Sequence, residues 1–128
     1  MNKIQYESIA KTIVNSCYNV HKEMGPGLLE SIYELCLVEE LKRNKLNVKN
    51  QVSIPLIYKD ILLSKDFKID ILVENEIILE LKAVETILPV HKAQIISYLK
   101  LADKKMGFLI NFNVALIKEG IQRIVNNY

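Results

Sequence analysis

The chain has 128 residues, half of them hydrophobic and a quarter charged, with a formal net charge of +2. That length holds one domain over 1–128 and excludes a barrel enzyme or a separate substrate-binding module, since domains typically run to roughly 100–200 residues. Four Gly, three Pro and two Cys leave no linker, repeat, zinc ribbon or four-thiolate iron–sulfur site.

Apolar runs such as Leu35–Val38 and Ile77–Leu79 fall far below the roughly 18 residues of a membrane helix. Residues 1–11 mix Lys3, Gln5, Glu7 and Lys11 among apolar positions, unlike a secretory leader, so a cytoplasmic protein with no membrane partner is expected. Charge is uneven along the chain: residues 1–50 sum to +1, residues 51–89 to −3 and residues 90–128 to +4. An acidic middle followed by a basic last third suits a metal site beside a polyanion surface, and equally suits ordinary solvated faces.

Tyr6, Ile9, Ala10, Ile13, Val14, Cys17 and Val20 recur at three- and four-residue steps and predict a helix over 3–23. Met24-Gly25-Pro26-Gly27 stops it, and Leu28 to Leu41 carry a second helix to about Asn44. Cys17 and Cys36 sit within these apolar patterns, where free thiols belong. From Val48 the period falls to two, and Pro55 marks that strand as an edge or bulged one. Lys59-Asp60 reads as a turn, Ile61 to Leu63 as a short return strand and Ser64 to Asp66 as a break. Phe67 to Val73 and Ile77 to Ala83 then form an antiparallel hairpin around Glu74-Asn75-Glu76. Pro89 opens a helix over 90–102, Met106 to Phe112 is a buried strand, and Ile121 to Val125 leans toward a short edge strand.

Asp70, Glu80 and Lys82 stand inside two apolar strands, where an unpaired charge is costly. Glu80 and Lys82, two apart, share a face. If the loop is the three residues 74–76, Val73 opposes Ile77 and Asp70 opposes Glu80, which gathers all three groups. A two-residue loop would instead turn Asp70 to the other face. Two carboxylates across a sheet repel, and a hard divalent cation, Mg or Mn, relieves them; Lys82 neutralising them in a structural salt-bridge cluster is the alternative.

Asp70 with Glu80-Leu81-Lys82 resembles the core of the PD-(D/E)XK nuclease superfamily, and Gly27-Leu28-Leu29-Glu30-Ser31-Ile32-Tyr33 resembles the signature of its GxxExxY family. His21 to Tyr33, Lys68 to Val84, Val90 to Leu101 and Gly107 to Asn113 follow that family's general run, with Lys68 in a place where Arg is expected. The resemblance implies a mixed α/β, restriction-endonuclease-like core in α-β-β-β-α-β order after an N-terminal helix, its sheet flanked by helices. It implies a Mg-dependent (or Mn-dependent) nuclease acting on nucleic acid, DNA first; a net charge of only +2 and the lack of a helix-turn-helix, zinc finger or long basic arm point to action as a homodimer or within a larger complex. The alternative is a non-catalytic nucleic-acid-binding or assembly protein on the same fold.

By the same resemblance, Asp70, Glu80 and the Leu81 carbonyl would hold the metal, and Lys82 would assist the attacking water and steady the scissile phosphate. Glu30 would approach the metal, although a carboxylate in a helix's first turn is favoured by the dipole regardless of function. Tyr33, one turn on, is either its neighbour on nucleic acid or core. Gln94 and Tyr98 resemble a Gln-x-x-x-Tyr element that orients the site and the strand, while a Gln on a packed helix is as readily solvated. Lys92 and Lys100, with Lys104 and Lys105, are candidates for phosphate contacts or plain surface lysines. His21 and His91 are either cleft or helix-end residues.

Overall fold

The structure, a computed structural model, describes residues 1–128. Helices α1 (Lys3–Met24) and α2 (Glu30–Arg43) precede strands β1 (Val48–Tyr58), β2 (Ile61–Val73) and β3 (Ile77–Lys82). Helix α3 (Pro89–Leu101), strand β4 (Met106–Asn111), a 3-10 turn at Ile117–Gly120 and strand β5 (Ile121–Val125) complete the chain. The five strands form one sheet in the order β1-β2-β3-β4-β5, antiparallel except for the parallel β3–β4 pair joined through α3. This is the expected mixed α/β architecture, consistent with a restriction-endonuclease-like fold, and residues 121–125 are indeed an edge strand.

Local chemistry explains the element ends. The Asn2 side chain accepts from the Gln5 N–H while the Gln5 side chain accepts from the Asn2 N–H, both at 2.9 Å, which satisfies two orphan donors at the start of α1. At its other end Gly25, with φ 67°, donates its N–H to the His21 carbonyl at 2.8 Å. Lys59 and Asp60 both take positive φ and close the β1–β2 hairpin in two residues.

Each face of the sheet carries a core. On one side α1 and α2 bring Ile13, Cys17, Tyr33, Leu37 and Leu41 onto Ile71, Leu79, Leu81, Phe108 and Ile110. On the other, α3 brings Ile95 and Leu99 onto Ile69, Leu72, Ile78 and Leu109. Strands β3 and β4, covered on both faces, are almost continuously apolar for that reason. Burial pushes the Cys17 thiol up to about 12, so it is an inert core residue; Cys36 is half-buried and also unpaired.

Pro55 lies on an edge strand and also at an irregularity, since the β1–β2 register shifts between Pro55 and Ile57. The break expected at Ser64 to Asp66 does not occur, because β2 runs unbroken from Ile61 to Val73. β3 pairs with β2 only at Ile71–Val73, so residues 61–69 belong to a two-stranded ribbon. Ser64, Lys65 and Asp66 are exposed there, and a polar run is compatible with a strand that nothing covers. No helix is long and apolar enough to cross a membrane.

Candidate active site

The β2–β3 register is the one that a three-residue loop requires: Val73 opposes Ile77 and Ile71 opposes Leu79. Beyond that pair the regular ladder stops, and two side chains take over its rungs. The Asp70 N–H donates to Glu80 Oε2 and the Leu81 N–H donates to Asp70 Oδ2, both at 2.8 Å. Each carboxylate is thereby locked to the backbone of the opposite strand through one oxygen, and its second oxygen is left for another partner.

Asp70 also sits at a reversal of the strand's alternation. Ile71 and Val73 pack toward α1 and α2, yet Ile69 packs toward α3, although residues two apart on a regular strand share a face. β1 reverses at the facing position, where Gln51 has φ 51° and drops out of the pairing: Val48 packs with the α1/α2 core, Val52 and Ile54 with the α3 core. Glu34, on α2, accepts from the Gln51 Nε2 at 2.8 Å and from the Asn50 Nδ2 at 3.2 Å. Helix α2 is thus pinned to β1 at the residues facing Asp70.

Burial makes this pair of acids electrostatically uncomfortable. Glu80 is only 5% exposed; its burial, and next the neighbouring Asp70 charge, push its carboxyl from 4.5 up to about 8, against the opposing help of the Asp70 N–H and Lys82. Asp70 is likewise raised, by burial first, with the charges of Glu34 and Glu30 adding to the rise while the Leu81 N–H and Lys82 oppose it. Lys82 stands on the Glu80 face and acts on both acids through its field, but it forms an ion pair with neither; the chain's ion pairs are Arg43–Glu39 and Arg123–Glu7. The salt-bridge-cluster alternative therefore has no bridge to support it.

Tyr98 lines the same side. It stacks on Phe67 at 4.8 Å between ring centroids, and its hydroxyl is raised by burial and then by the charges of Glu80 and Asp70. Gln94, one turn earlier on α3, is exposed, as are Lys92 and Lys100; none of the three hydrogen-bonds to the acids. Leu81 contributes its N–H to Asp70, and its side chain fills the α1/α2 core.

Two expected site residues are placed differently. Tyr33 is fully buried, stacked on Phe112 with ring centroids 4.5 Å apart, and its hydroxyl donates to the Gly25 carbonyl and accepts from the Leu28 N–H. A residue with no exposed surface cannot contact nucleic acid, so Tyr33 is the core alternative; its role is to hold the turn in which Gly27 adopts φ 96°. Glu30 is exposed in the first turn of α2 and reaches Asp70 only as a charge, weaker than that of Glu34; no third His, Cys, Asp or Glu joins the pair closely enough for a three-residue metal site. Glu34 is the acid that sequence reading missed: its signal was the step of four from Glu30, which places it one turn further along nearly the same helix face. His21 and His91 are structural, His21 bonded to the Val114 carbonyl at 2.8 Å and His91 Nδ1 accepting from the Leu88 N–H at 3.0 Å.

The donor set fits a small hard cation. Two carboxylates with a free oxygen each, unneutralised by any ion pair, are what Mg or Mn commonly accepts from protein, with waters filling the remaining positions. None of the chain's cavities includes Asp70, Glu80 or Lys82.

A family model described as the PD-(D/E)XK nuclease superfamily matches residues 7–124. No curated protein and no solved structure matches the chain.

Proposed function

From the premise that the chain belongs to the PD-(D/E)XK nuclease superfamily, we propose that it is a Mg- or Mn-dependent nuclease that hydrolyses phosphodiester bonds in nucleic acid, DNA first. The observation that carries this reading is the pair Asp70, half-buried, and Glu80, buried, mutually repelling and without an ion-pair partner, with Lys82 on the same side. A protein that needed this pair only for stability would gain by replacing it with apolar residues.

A bound cation would lower the pKa of its water and offset charge on the phosphoryl oxygens. Asp70 and Glu80 would hold it through the oxygens their backbone bonds leave free, with the Leu81 carbonyl adjacent. Lys82, carried on a strand buried on both faces, supplies a fixed positive charge that needs no reorganisation as charge builds on the phosphate. Tyr98 stands close enough to the acids for their charge to act on it, with Gln94 one turn earlier on the same side of α3, while the exposed Lys92 and Lys100 are the helix's candidates for phosphate contacts. Within the superfamily we assign the chain to the GxxExxY family: the glycine of that signature is required by the positive φ of Gly27, and its tyrosine by the bonds Tyr33 makes across the turn. A cytoplasmic location goes with this reading.

The test has two arms. Mg or Mn titration followed by thermal unfolding should raise the melting temperature of the wild type and not of Asp70→Ala, because a ligand bound only by the native state stabilises it. Labelled single- and double-stranded DNA and RNA should be cleaved by wild type and spared by Lys82→Ala. Binding without cleavage would favour the non-catalytic alternative, and an equal metal shift in Asp70→Ala removes the metal centre altogether.

A further inference from the structure

We infer that the outer end of the β1–β2 ribbon is a self-association surface, seating a second copy of this chain. From Leu56 to Leu63 every residue but Lys59 and Asp60 is large and apolar. Nothing in the fold covers them: β3 stops pairing with β2 at Ile71, and the last residues of the ribbon held by α3 are Val52, Ile54 and Phe67. Ile61 is 61% and Leu62 68% exposed, with Ile57, Tyr58 and Leu63 each at least two-fifths exposed. Elsewhere the exposed apolar residues are not concentrated in one short segment in this way.

A two-stranded ribbon projecting past its sheet is marginal alone in water. These five side chains present on the order of 500 Å² of apolar surface over the ribbon's two faces, of which the larger face holds about 300 Å², within the range of one patch on a monomer and under half of the roughly 800 Å² per partner in a standard interface. The pairing decides how they are presented. Tyr58 opposes Ile61 and Ile57 opposes Leu62, so Tyr58, Ile61 and Leu63 share one face and Ile57 and Leu62 the other.

The chemistry of the ribbon argues for a like partner. Lys59 with Asp60, and Lys65 with Asp66, leave its outer half neutral, which offers a polyanion little and matches a two-fold mate bearing the same alternating charges. Strand addition along the β1 edge is opposed by Pro55, which lacks an N–H, and by the register shift beside it. With the β1 edge blocked, the face of Tyr58, Ile61 and Leu63, the larger of the two, is the contact surface, alongside the β2 edge that β3 leaves unpaired.

Sedimentation of the full chain over a concentration series tests this without metal or substrate, so its outcome is separate from that of the nuclease reading. The wild type should sediment at twice the monomer mass and dissociate on dilution. Ile61→Lys, and independently Tyr58→Ser with Leu63→Ser, should sediment as monomers with cooperative unfolding retained; Leu62→Lys, on the opposite face, should leave the dimer largely intact. Asp70→Ala should still dimerise. A wild type that is monomeric throughout overturns the proposal, as does a dimer that survives Ile61→Lys. A monomeric wild type whose binding to a duplex oligonucleotide is lost in Ile61→Lys would give the tip to nucleic acid instead.

Discussion

The chain treats carboxylates in two opposite ways. At its ends Glu7 of α1 accepts from Arg123 Nη1 at 2.8 Å, from Arg123 Nη2 and from the Tyr128 hydroxyl, and these bonds pull its carboxyl down to about 2. Tyr128 meets Tyr6 edge to face at 5.5 Å, and Tyr6 in turn donates to Glu76 at 2.8 Å. This exposed clasp ties α1 to β5 and the carboxyl terminus, with every acid partnered. At the centre Glu80 is buried and Asp70 half-buried, and the two face one another and receive only backbone N–H groups. Side-chain partners lower the Glu7 carboxyl, whereas burial and a like charge raise those of Asp70 and Glu80.

The difference can be broken from either side. The largest effect is expected at the centre: Glu80→Gln should lower metal-dependent cleavage by about 100-fold or more. The same variant should melt higher than wild type at pH 8 without metal, since an amide fills the site with no charge to bury. Activity assays and calorimetry on one preparation check both; a variant less stable than wild type at pH 8 would show the charge is not a burden. Lys82→Ala should reduce cleavage by a comparable 100- to 1,000-fold while the Mn-induced rise in melting temperature persists, which separates the cation's holder from the fixed charge.

pH sharpens the contrast because the two regions have opposite signs. The folded pKa of Glu80 lies above its unfolded value, so its stabilising contribution is full below about pH 4.5 and is lost as pH rises to about 8. Metal-free protein should therefore melt lower at pH 8 than at pH 5, with Mn restoring most at pH 8; a melting temperature that does not fall over that interval would count against the buried pair. Glu7, with its folded pKa lowered, stabilises above about pH 4.5 and loses that contribution as pH falls to about 2. Glu7→Gln should blunt acid unfolding without touching the alkaline side.

Smaller effects are expected where the site is only supported. Tyr33→Phe strips a buried carbonyl and an N–H of their hydroxyl partner and should cost about 1–3 kcal/mol of stability, with nucleic-acid affinity unchanged. Glu34→Ala frees Asn50 and Gln51 from α2. It should cost less in stability, yet weaken Mn binding several-fold if the reversal opposite Asp70 depends on it; titration with Mn reads this directly. An unchanged Mn affinity would make the α2–β1 link purely structural.

Much of this was legible in the chain because it depends on near neighbours. Apolar spacing set the helices within a residue or two, and Glu74-Asn75-Glu76 set the hairpin register that brings Asp70 opposite Glu80, since three loop residues leave Val73 facing Ile77. Lys82 followed from Glu80 by simple alternation. What failed had a common cause. Ser64 to Asp66 looked like a break because polarity was taken to mean loop, and only the absence of a covering strand shows why a polar stretch can stay extended. Tyr33 was placed by motif and proved wholly interior, while Glu30, exposed in the first turn of α2, bears on Asp70 as a charge.

Residue types and spacing by themselves determined the three long helices and the strand pairing at the hairpin, and marked two acids and a lysine as candidates, because each follows from interactions across a few residues of chain. The tertiary structure alone decided that the charge of Glu34 bears on the acids more than that of Glu30, that β1 and β2 reverse together at Gln51 and Asp70, and that Lys82 bridges to neither carboxylate. Those outcomes depend on how α2 and α3 close over the sheet. Helix docking is fixed by the summed fit of both cores, which no local pattern encodes.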